Sequence, residues 1–377
     1  MIYLDNNATT PVDPEVFDAV FSSLKRDVGN PSSSHLPGRK AKETVENARR
    51  DVADFLGCGA EEVYFTSGGT ESNNLALIGS AMSRKTGHIV TTAIEHPSIF
   101  NTCRHLESLG FEVTYVSADR DGRVDPDEVK RHLRDDTFLI SVMHANNETG
   151  VVQPVDEIGL IGKSRGIPFH TDAAQSIGKM QFGLAGTAID MMTIAPHKFY
   201  GPKGVGALFI RGGSRLSPIL FGGGHERGLR PGTENVAGIV GFAKACQIAK
   251  RDIRLRVSHT VRLRDLLFDA LKSLMPDIVA NGHRTHRLPN TANIIIPGVS
   301  SHELAEKIQD RVALSTGSAC HSGERVPSAV LKNMGLSDEE ALSSVRLSVG
   351  KDNTEEEIVT AAGIIADAAK QLKRIPI

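Results

Sequence analysis

The first half of the chain alternates short apolar runs with segments that repeat apolar residues at helical spacing. Two of the helical patterns open with an aspartate before a proline, Asp13-Pro14 and Asp125-Pro126, which is an N-cap followed by a residue suited to the first helical turn. Strands are predicted at residues 63–66, 88–92, 112–116, 138–143, 167–170, 190–194 and 205–210. Such alternation is typical of a mostly parallel sheet with helices on both faces.

The pattern changes at about Arg251. A long charged amphipathic helix is predicted from Arg251 to Leu274, and the strands beyond it are fewer and separated by helices. This indicates a smaller α+β domain. We therefore expect a large domain over residues 12–252 and a small domain formed by residues 1–11 and 253–377, with a helix shared between them.

Composition narrows the class of protein. The chain has 377 residues and a net charge of -2, so no basic field draws it to nucleic acid or to a membrane. It has no apolar stretch long enough for a transmembrane helix and no signal-peptide pattern at Met1–Asn7, which predicts a cytoplasmic protein. Its four cysteines show no CxxC or Cys/His spacing, so no metal site is expected.

Candidate chemistry appears where the predicted strands end. Asp172 and Lys198 each follow an apolar run, so both should project from the carboxyl edge of a parallel sheet, where open α/β folds bind ligands. A lysine that forms a Schiff base and a carboxylate that keeps a pyridinium nitrogen protonated are what pyridoxal phosphate requires of its protein. A lysine after a strand is more often a surface lysine, so the prediction depends on its neighbours.

Two further features lie near the same edge. Ser67-Gly-Gly69 precedes a predicted helix, and backbone amides at a helix N-terminus suit a phosphate group, although a tight strand–helix turn explains the glycines equally well. His96 is placed to stack on an aromatic cofactor, or else it caps a helix or is buried. Asn147 follows the most apolar strand, and Gln175 lies three positions after Asp172.

Taken together, these runs resemble the class I (NifS/IscS-like) cysteine desulfurases, which belong to the class V aminotransferase family. The resemblance extends over essentially the whole chain. It is carried by Tyr3–Pro11, Gly29–Ser33, Thr66–Asn74, Asn146–Gly150, His170–Gln175, His197–Pro202, Gly222–Thr233 and Ser315–Cys320. It implies a fold-type I (aminotransferase-like) α/β transferase that uses pyridoxal 5′-phosphate.

The resemblance also implies roles for residues around the cofactor. Lys198 would carry pyridoxal phosphate and later move the substrate Cα proton, and Asp172 would pair with the pyridine nitrogen. Gln175 would bond the ring oxygen, and His96 would stack on the ring and assist proton transfer. The phosphate would be held by Gly69, Thr70 and His197, and by Thr233 from the other subunit of a homodimer.

Two residues would serve the substrate, L-cysteine. Arg346 would bind its carboxylate, assisted by Asn147, which also lies beside the cofactor. Cys320 lies in a small, polar stretch that we expect to be an exposed mobile loop, and its thiolate would take the substrate sulfur as a persulfide and leave alanine. The sulfur would pass to an acceptor or scaffold protein, as in iron–sulfur cluster assembly. The other three cysteines (Cys58, Cys103 and Cys246) are expected to be structural or incidental.

The sequence departs from the family at two places. The family usually has Ser-Gly before the His-Lys pair, whereas this chain has Ala195-Pro196, so a hydroxyl that would bond the phosphate is missing and weaker cofactor binding is expected, by about 1 kcal/mol. The chain ends at Ile377 without the longer tail that docks an iron–sulfur scaffold, which leaves that partner open.

Two alternatives are kept. Several motifs, including Pro231–Asn235 and Cys320-His-Ser322, resemble selenocysteine lyase equally well, and sequence does not decide between the two substrates. A binding or scaffold subunit that has lost activity on the same fold is favoured only by Ala195. The sulfur's destination is also open, among iron–sulfur assembly, tRNA thiolation, DNA modification and selenium delivery.

Overall fold

The structure is a computed structural model that describes residues 1–316, 319–321 and 324–373, with the backbone alone at 319–321 and 324–325. The helices are α1 Pro14–Arg26, α2 Leu36–Leu56, α3 Gly69–Ala81, α4 Pro97–Ser108, α5 Pro126–Arg131, α6 Val155–Arg165, α7 Val236–Leu274, α8 Ser301–Ile308, α9 Ala329–Asn333, α10 Asp338–Leu342 and α11 Glu355–Lys373. The strands are β1 Ile2–Tyr3, β2 Val63–Thr66, β3 His88–Thr92, β4 Glu112–Val116, β5 Thr137–Ser141, β6 Phe169–Asp172, β7 Met191–Ile194, β8 Gly206–Ile210, β9 Val279–Asn281, β10 Thr291–Ile295, β11 Val312–Ala313, β12 Ser315–Thr316, β13 Ala319–His321, β14 Glu324–Val326 and β15 Ser344–Ser348.

A seven-stranded sheet in the order β2-β8-β7-β6-β5-β3-β4 organises the first half of the chain. All of its pairings are parallel except those of β8, which runs antiparallel to both β7 and β2. The carboxyl ends of β2, β3, β5, β6 and β7 therefore meet at one edge of the sheet. This mixed, mostly parallel α/β sheet confirms the predicted fold class.

Both faces of this sheet are buried, because successive side chains of a strand point to opposite faces. Val90, Ile140 and Met192 pack in one core together with residues of α2, α6 and α7. Their neighbours Ile89 and Leu139 lie in the other core, with residues of α3 and α4. The near-continuous apolar runs of the sequence thus reflect burial on both sides.

A second sheet of four antiparallel strands, in the order β12-β15-β10-β9, covers another core with α8 and α11. Helix α7 contributes to two cores, through Phe242 and Cys246 at one end and through Leu263 and Leu267 at the other. It begins at Val236, fifteen residues before the predicted Arg251, with Asn235 as the N-cap whose side chain accepts from the Gly238 amide. The domain boundary at residue 252 remains a prediction.

Candidate active site

A cavity of about 370 Å³ opens at the carboxyl edge of the seven-stranded sheet. Strands β2, β3, β5, β6 and β7 each lead into its wall, and Arg346 of β15 contributes from the small sheet. The wall contains nine of the residues predicted for the site: Gly69, Thr70, His96, Asn147, Asp172, Gln175, His197, Lys198 and Arg346. Thr233 is exposed and does not line this cavity, and the Cys320 side chain lies outside the described residues.

Lys198 closes the short turn Pro196–Lys198 that follows β7. Its Nζ donates hydrogen bonds to the backbone oxygens of Asn7 and Ala8, both at 2.8 Å. Burial, and next the positive charge of Arg346, lower the pKa of Lys198 to about 8. A lysine with such a pKa is partly a neutral amine near neutral pH, which is the form that attacks a carbonyl.

Asp172 is the last residue of β6, so the strand itself directs the carboxylate to the edge of the sheet. Its Oδ2 accepts a hydrogen bond from Asn73 Nδ2 at 2.7 Å, and its Oδ1 accepts from the Ala174 amide at 2.9 Å. These two hydrogen bonds hold the carboxylate in place at the sheet edge, where it can pair with a protonated ring nitrogen. Asn73 was not predicted as a site residue, although it lies within the run Thr66–Asn74 that supported the resemblance.

The N-terminus of α3 forms one end of the cavity. Gly68 caps the helix with φ of +153°, and a Cβ on Gly206 of β8 would lie 2.6 Å from the Gly68 Cα, so both positions require glycine. The amides of Gly69 and Thr70 lie in the first helical turn, where backbone N–H groups have no partner within the helix. This end of the cavity is therefore suited to a phosphate group.

His197 and Ala195 line the same cavity. Burial, and then the charge of Lys198, lower the pKa of His197 to about 4, so its ring is neutral near pH 7 and acts as a hydrogen-bonding group without a charge. The Ala195 methyl is buried at the position where the resemblance led us to expect a serine hydroxyl. The Thr70 side chain still offers a hydroxyl in the cavity wall, and weaker cofactor binding remains a prediction.

His96 is the N-cap of α4, as one of the two sequence interpretations allowed, and it also lines the cavity. Its Nδ1 accepts a hydrogen bond from the Ser98 amide at 3.1 Å. Because a backbone amide can only donate, this bond places the proton of the neutral ring on Nε2. Desolvation by the surrounding protein lowers the pKa of His96, which favours that neutral form.

Arg346 provides a binding group for an anion. Its Nη1 donates to the backbone oxygen of Asn147 at 3.0 Å, and its Nη2 donates to Asp5 Oδ1 at 2.8 Å. The buried Nε has no hydrogen-bond partner among the described residues. The guanidinium lines the cavity, where a bound carboxylate could pair with its charge. Asp5, which sequence reasoning did not single out, orients this guanidinium.

Asn7 connects several of these groups and was also missed as a site residue. Its backbone oxygen accepts from Lys198 and from Gln175 Nε2, the latter at 2.9 Å. Its side-chain Oδ1 accepts from Lys179 Nζ at 2.9 Å, and Lys179 also donates to Gln175 Oε1 at 2.7 Å. The only sequence signal for Asn7 was its place in the run Tyr3–Pro11.

The backbone of Cys320 lies in β13, which pairs with β14 in a two-stranded antiparallel sheet. The sequence predicted an exposed mobile loop at Cys320, whereas the backbone there forms a strand. Small residues in this stretch carried no strand pattern, whereas the backbone pairs Ala319 with Val326 and His321 with Glu324. The side chains of these two strands up to Arg325 lie outside the described residues.

A model of the family described as aminotransferase class-V matches residues 2–360. The chain belongs to this family. Cysteine desulfurase IscS of Dictyoglomus turgidum is 42% identical over 377 residues, which cover 99% of this chain and 96% of that protein. A solved NifS-like protein is 37% identical with a TM-score of 0.92, covering 98% of this chain and 99% of that chain. A structure of SspA in complex with cysteine is 36% identical with a TM-score of 0.83, covering 94% of this chain and 100% of that chain.

Enzymes of this family depend on pyridoxal 5′-phosphate, which confirms the predicted cofactor. The cavity fits it on chemical grounds: a lysine of lowered pKa, a carboxylate with both oxygens engaged by donors, and a helix N-terminus for the phosphate line one space. Within the described ranges no helix is long and apolar enough to cross a membrane, and no group of three or more His, Cys, Asp and Glu side chains is arranged to hold a metal ion.

Proposed function

We propose that this protein is a cysteine desulfurase, which takes sulfur from L-cysteine, releases L-alanine and holds the sulfur as a persulfide on Cys320. The observation that carries the proposal is the register of the small sheet. Ser315 of β12 pairs with Arg346 of β15, and Cys320 follows five residues later along the chain. At about 3.3 Å per residue, Cys320 stays within roughly 16 Å of Ser315, which is paired with the arginine that would hold the substrate carboxylate.

Substrate binding follows from the contacts of Arg346. Its guanidinium is held by Asp5 and by the Asn147 backbone and lines the cavity, where it can pair with a carboxylate. Arg346 lines the cavity, so the carboxylate of a zwitterionic amino acid is attracted to this side of it. The amino and thiol groups of a bound cysteine would then lie toward the carboxyl edge of the large sheet.

Proton transfer falls to Lys198 and His96. Pyridoxal phosphate, when bound, supplies an electron sink that acidifies the substrate Cα and makes its sulfur electrophilic. Lys198, with its lowered pKa, is the base for the Cα proton. His96, neutral with its proton on Nε2, can pass a proton to or from the substrate.

The sulfur step breaks the Cβ–S bond of the substrate and forms an S–S bond to Cys320 Sγ. The electron pair of the broken bond stays with the carbon skeleton, which takes up protons and leaves as alanine. Cys320 thiol and cysteine thus give Cys320 persulfide and alanine, with no outside oxidant or reductant. An acceptor or scaffold protein would then receive the sulfur.

A homodimer is part of this proposal. Thr233 is exposed in the single chain and does not line its cavity, yet it lies in the run Gly222–Thr233 that resembles the family's phosphate-binding segment. A second copy of the chain would supply it to the phosphate end of this cavity. Each active site would then depend on both subunits.

The test measures alanine release from cysteine in the presence of a reducing thiol, for the native protein, Cys320→Ala and the control Cys58→Ala. Burial and the charges of Glu62 and Glu61 raise the pKa of Cys58 to about 12, so it is a poor nucleophile. We expect Cys320→Ala to lose nearly all activity and to leave no labelled persulfide, whereas Cys58→Ala retains both.

Other outcomes separate the alternatives. Turnover of selenocysteine that survives Cys320→Ala, with little turnover of cysteine, would make the protein a selenocysteine lyase. A purified protein that neither absorbs at the wavelengths of bound pyridoxal phosphate nor takes up the added cofactor would support the scaffold hypothesis.

A further inference from the structure

We infer that Lys179 is a positioning residue that sets which end of the Gln175 carboxamide faces the cofactor. Neither the sequence patterns nor the resemblance assigned it a role. Lys179 is buried, with 9% of its surface exposed, and lies behind the cavity wall rather than in it. The inference rests on the proposed function, since it concerns the cofactor of that reaction.

The hydrogen bonds of Gln175 fix its orientation. Its Oε1 accepts from Lys179 Nζ at 2.7 Å, and its Nε2 donates to the Asn7 backbone oxygen at 2.9 Å. A lysine amine donates to both of its neighbours here, and a backbone carbonyl can only accept, so the inverted carboxamide would lose both bonds. The second N–H of Gln175 is left for a ligand in the cavity, because Gln175 is part of the wall.

Lys179 is itself held in place by Asn7. Its Nζ donates to Asn7 Oδ1 at 2.9 Å, while Asn7 Nδ2 donates to Thr291 Oγ1 at 2.8 Å. Both hydrogen bonds of Lys179 thus go to uncharged amide oxygens, and neither acceptor is a carboxylate. Burial, followed by the charges of Lys198 and Arg346, lowers the pKa of Lys179, and an anionic ligand would oppose that shift.

This arrangement directs an N–H donor toward the cofactor's ring oxygen. A donor there favours the more negative protonation state of the bound cofactor, so it lowers the pH at which the visible absorbance changes. Without Lys179 the carboxamide can invert and present Oε1 instead. The transition of the absorbance should then move to higher pH.

The experiment titrates the visible absorbance of the bound cofactor against pH in the native protein, Lys179→Met, Lys179→Gln, Gln175→Leu and the double variant Lys179→Met/Gln175→Leu. We expect Lys179→Met to raise the transition by about one pH unit. Lys179→Gln, which retains an N–H donor for Oε1, should shift it less. In the Gln175→Leu background, Lys179→Met should add much less than it does alone, because the carboxamide through which it acts is gone.

Two results would overturn the inference: an unchanged transition in Lys179→Met, or equal shifts for that substitution with and without Gln175. If Lys179→Met does not fold, Lys179→Gln and Gln175→Leu decide instead. A Lys179→Gln shift as large as that of Gln175→Leu would then contradict the role of the retained donor. A native protein that binds the cofactor but does not release alanine from cysteine would refute the proposed function and leave this titration intact.

Discussion

At the scale of single residues, the environment of Lys198 determines when it can react. Nothing in its immediate sequence lowers its pKa. The shift comes from burial, together with the guanidinium of Arg346, which is far away along the chain. The opposing carboxylates of Asp172 and Asp5 are weaker influences, and the result is a pKa of about 8.

This pKa predicts the pH dependence of cofactor capture by the cofactor-free protein. Only the neutral amine attacks the aldehyde, so the capture rate should rise about tenfold per pH unit below pH 8 and level off above it. Rapid-mixing absorbance from pH 6 to pH 10 measures this rate. Because the Arg346 cation lowers the pKa, Arg346→Met should move the midpoint upward. A native midpoint near 10.5, the ordinary value for lysine, would contradict the prediction.

The site residues that could be predicted lie at strand ends, whereas those that were missed owe their role to contacts with distant parts of the chain. Asp172 and Lys198 follow apolar runs, so their position could be inferred from the strand pattern alone. The role of the missed residues comes from hydrogen bonds to partners distant in sequence, as for Asn7, Asn73 and Lys179. Asparagine and lysine are common at surfaces, and no local pattern shows that these three are buried.

At the scale of elements, a buried ion pair fixes the segment that leads to Thr233. Both nitrogens at the end of the Arg49 side chain contact Glu226, with Nη1–Oε2 at 2.7 Å and Nη2–Oε1 at 2.8 Å. The two side chains are 4% and 2% exposed. Glu226 Oε2 also accepts from the Phe65 amide at 2.8 Å, which ties this segment to β2, the strand before the Gly69 helix.

Breaking this pair should destabilise the protein strongly. Glu226→Gln leaves the Arg49 charge buried without a carboxylate, and we expect the free energy of unfolding to fall by about 3–5 kcal/mol. Adding Arg49→Met should restore part of that loss, because the unpaired charge is removed. Urea denaturation gives both values. Glu112→Gln, at the exposed pair with Arg134, is the control and should change little. An equally small effect at Glu226 would refute the prediction.

The ends of strands and helices could be predicted where a change in residue composition coincided with the start or end of the apolar pattern. The strands Val63–Thr66, His88–Thr92 and Glu112–Val116 have the predicted bounds. The prediction for α7 began at Arg251 because charge alternates with apolar residues only from there. Most residues of its first half, which starts at Val236, are buried, and exposed polar residues begin only at Gln247 and Lys250, so the helical period is weak there.

At the scale of the whole molecule, the proposed homodimer makes a site from two chains. Such a site can be tested by mixing variants, because Lys198 would act in its own subunit and Thr233 in the partner's. In a dimer of one Lys198→Ala chain and one Thr233→Ala chain, one site has both native residues and the other has neither. A dimer of either variant alone carries the same substitution in both of its sites, so only the mixed dimer contains a native site.

We expect Lys198→Ala to be inactive and Thr233→Ala to be impaired at limiting cofactor. Subunit exchange between equal amounts of the two should restore alanine release to about a quarter of the native rate, since half of the dimers are mixed and each has one native site. Exchange of the native chain with a chain carrying both substitutions is the control. In its mixed dimers, the site with a native Lys198 receives the Thr233→Ala substitution from the partner. Activity at limiting cofactor should therefore fall below half of the native rate, which is the value expected if every native chain kept its full activity. The contrary result is an exchanged mixture that releases alanine no faster than the two variants added together, although size-exclusion chromatography shows dimers. That result would mean that Thr233 does not serve the partner's site.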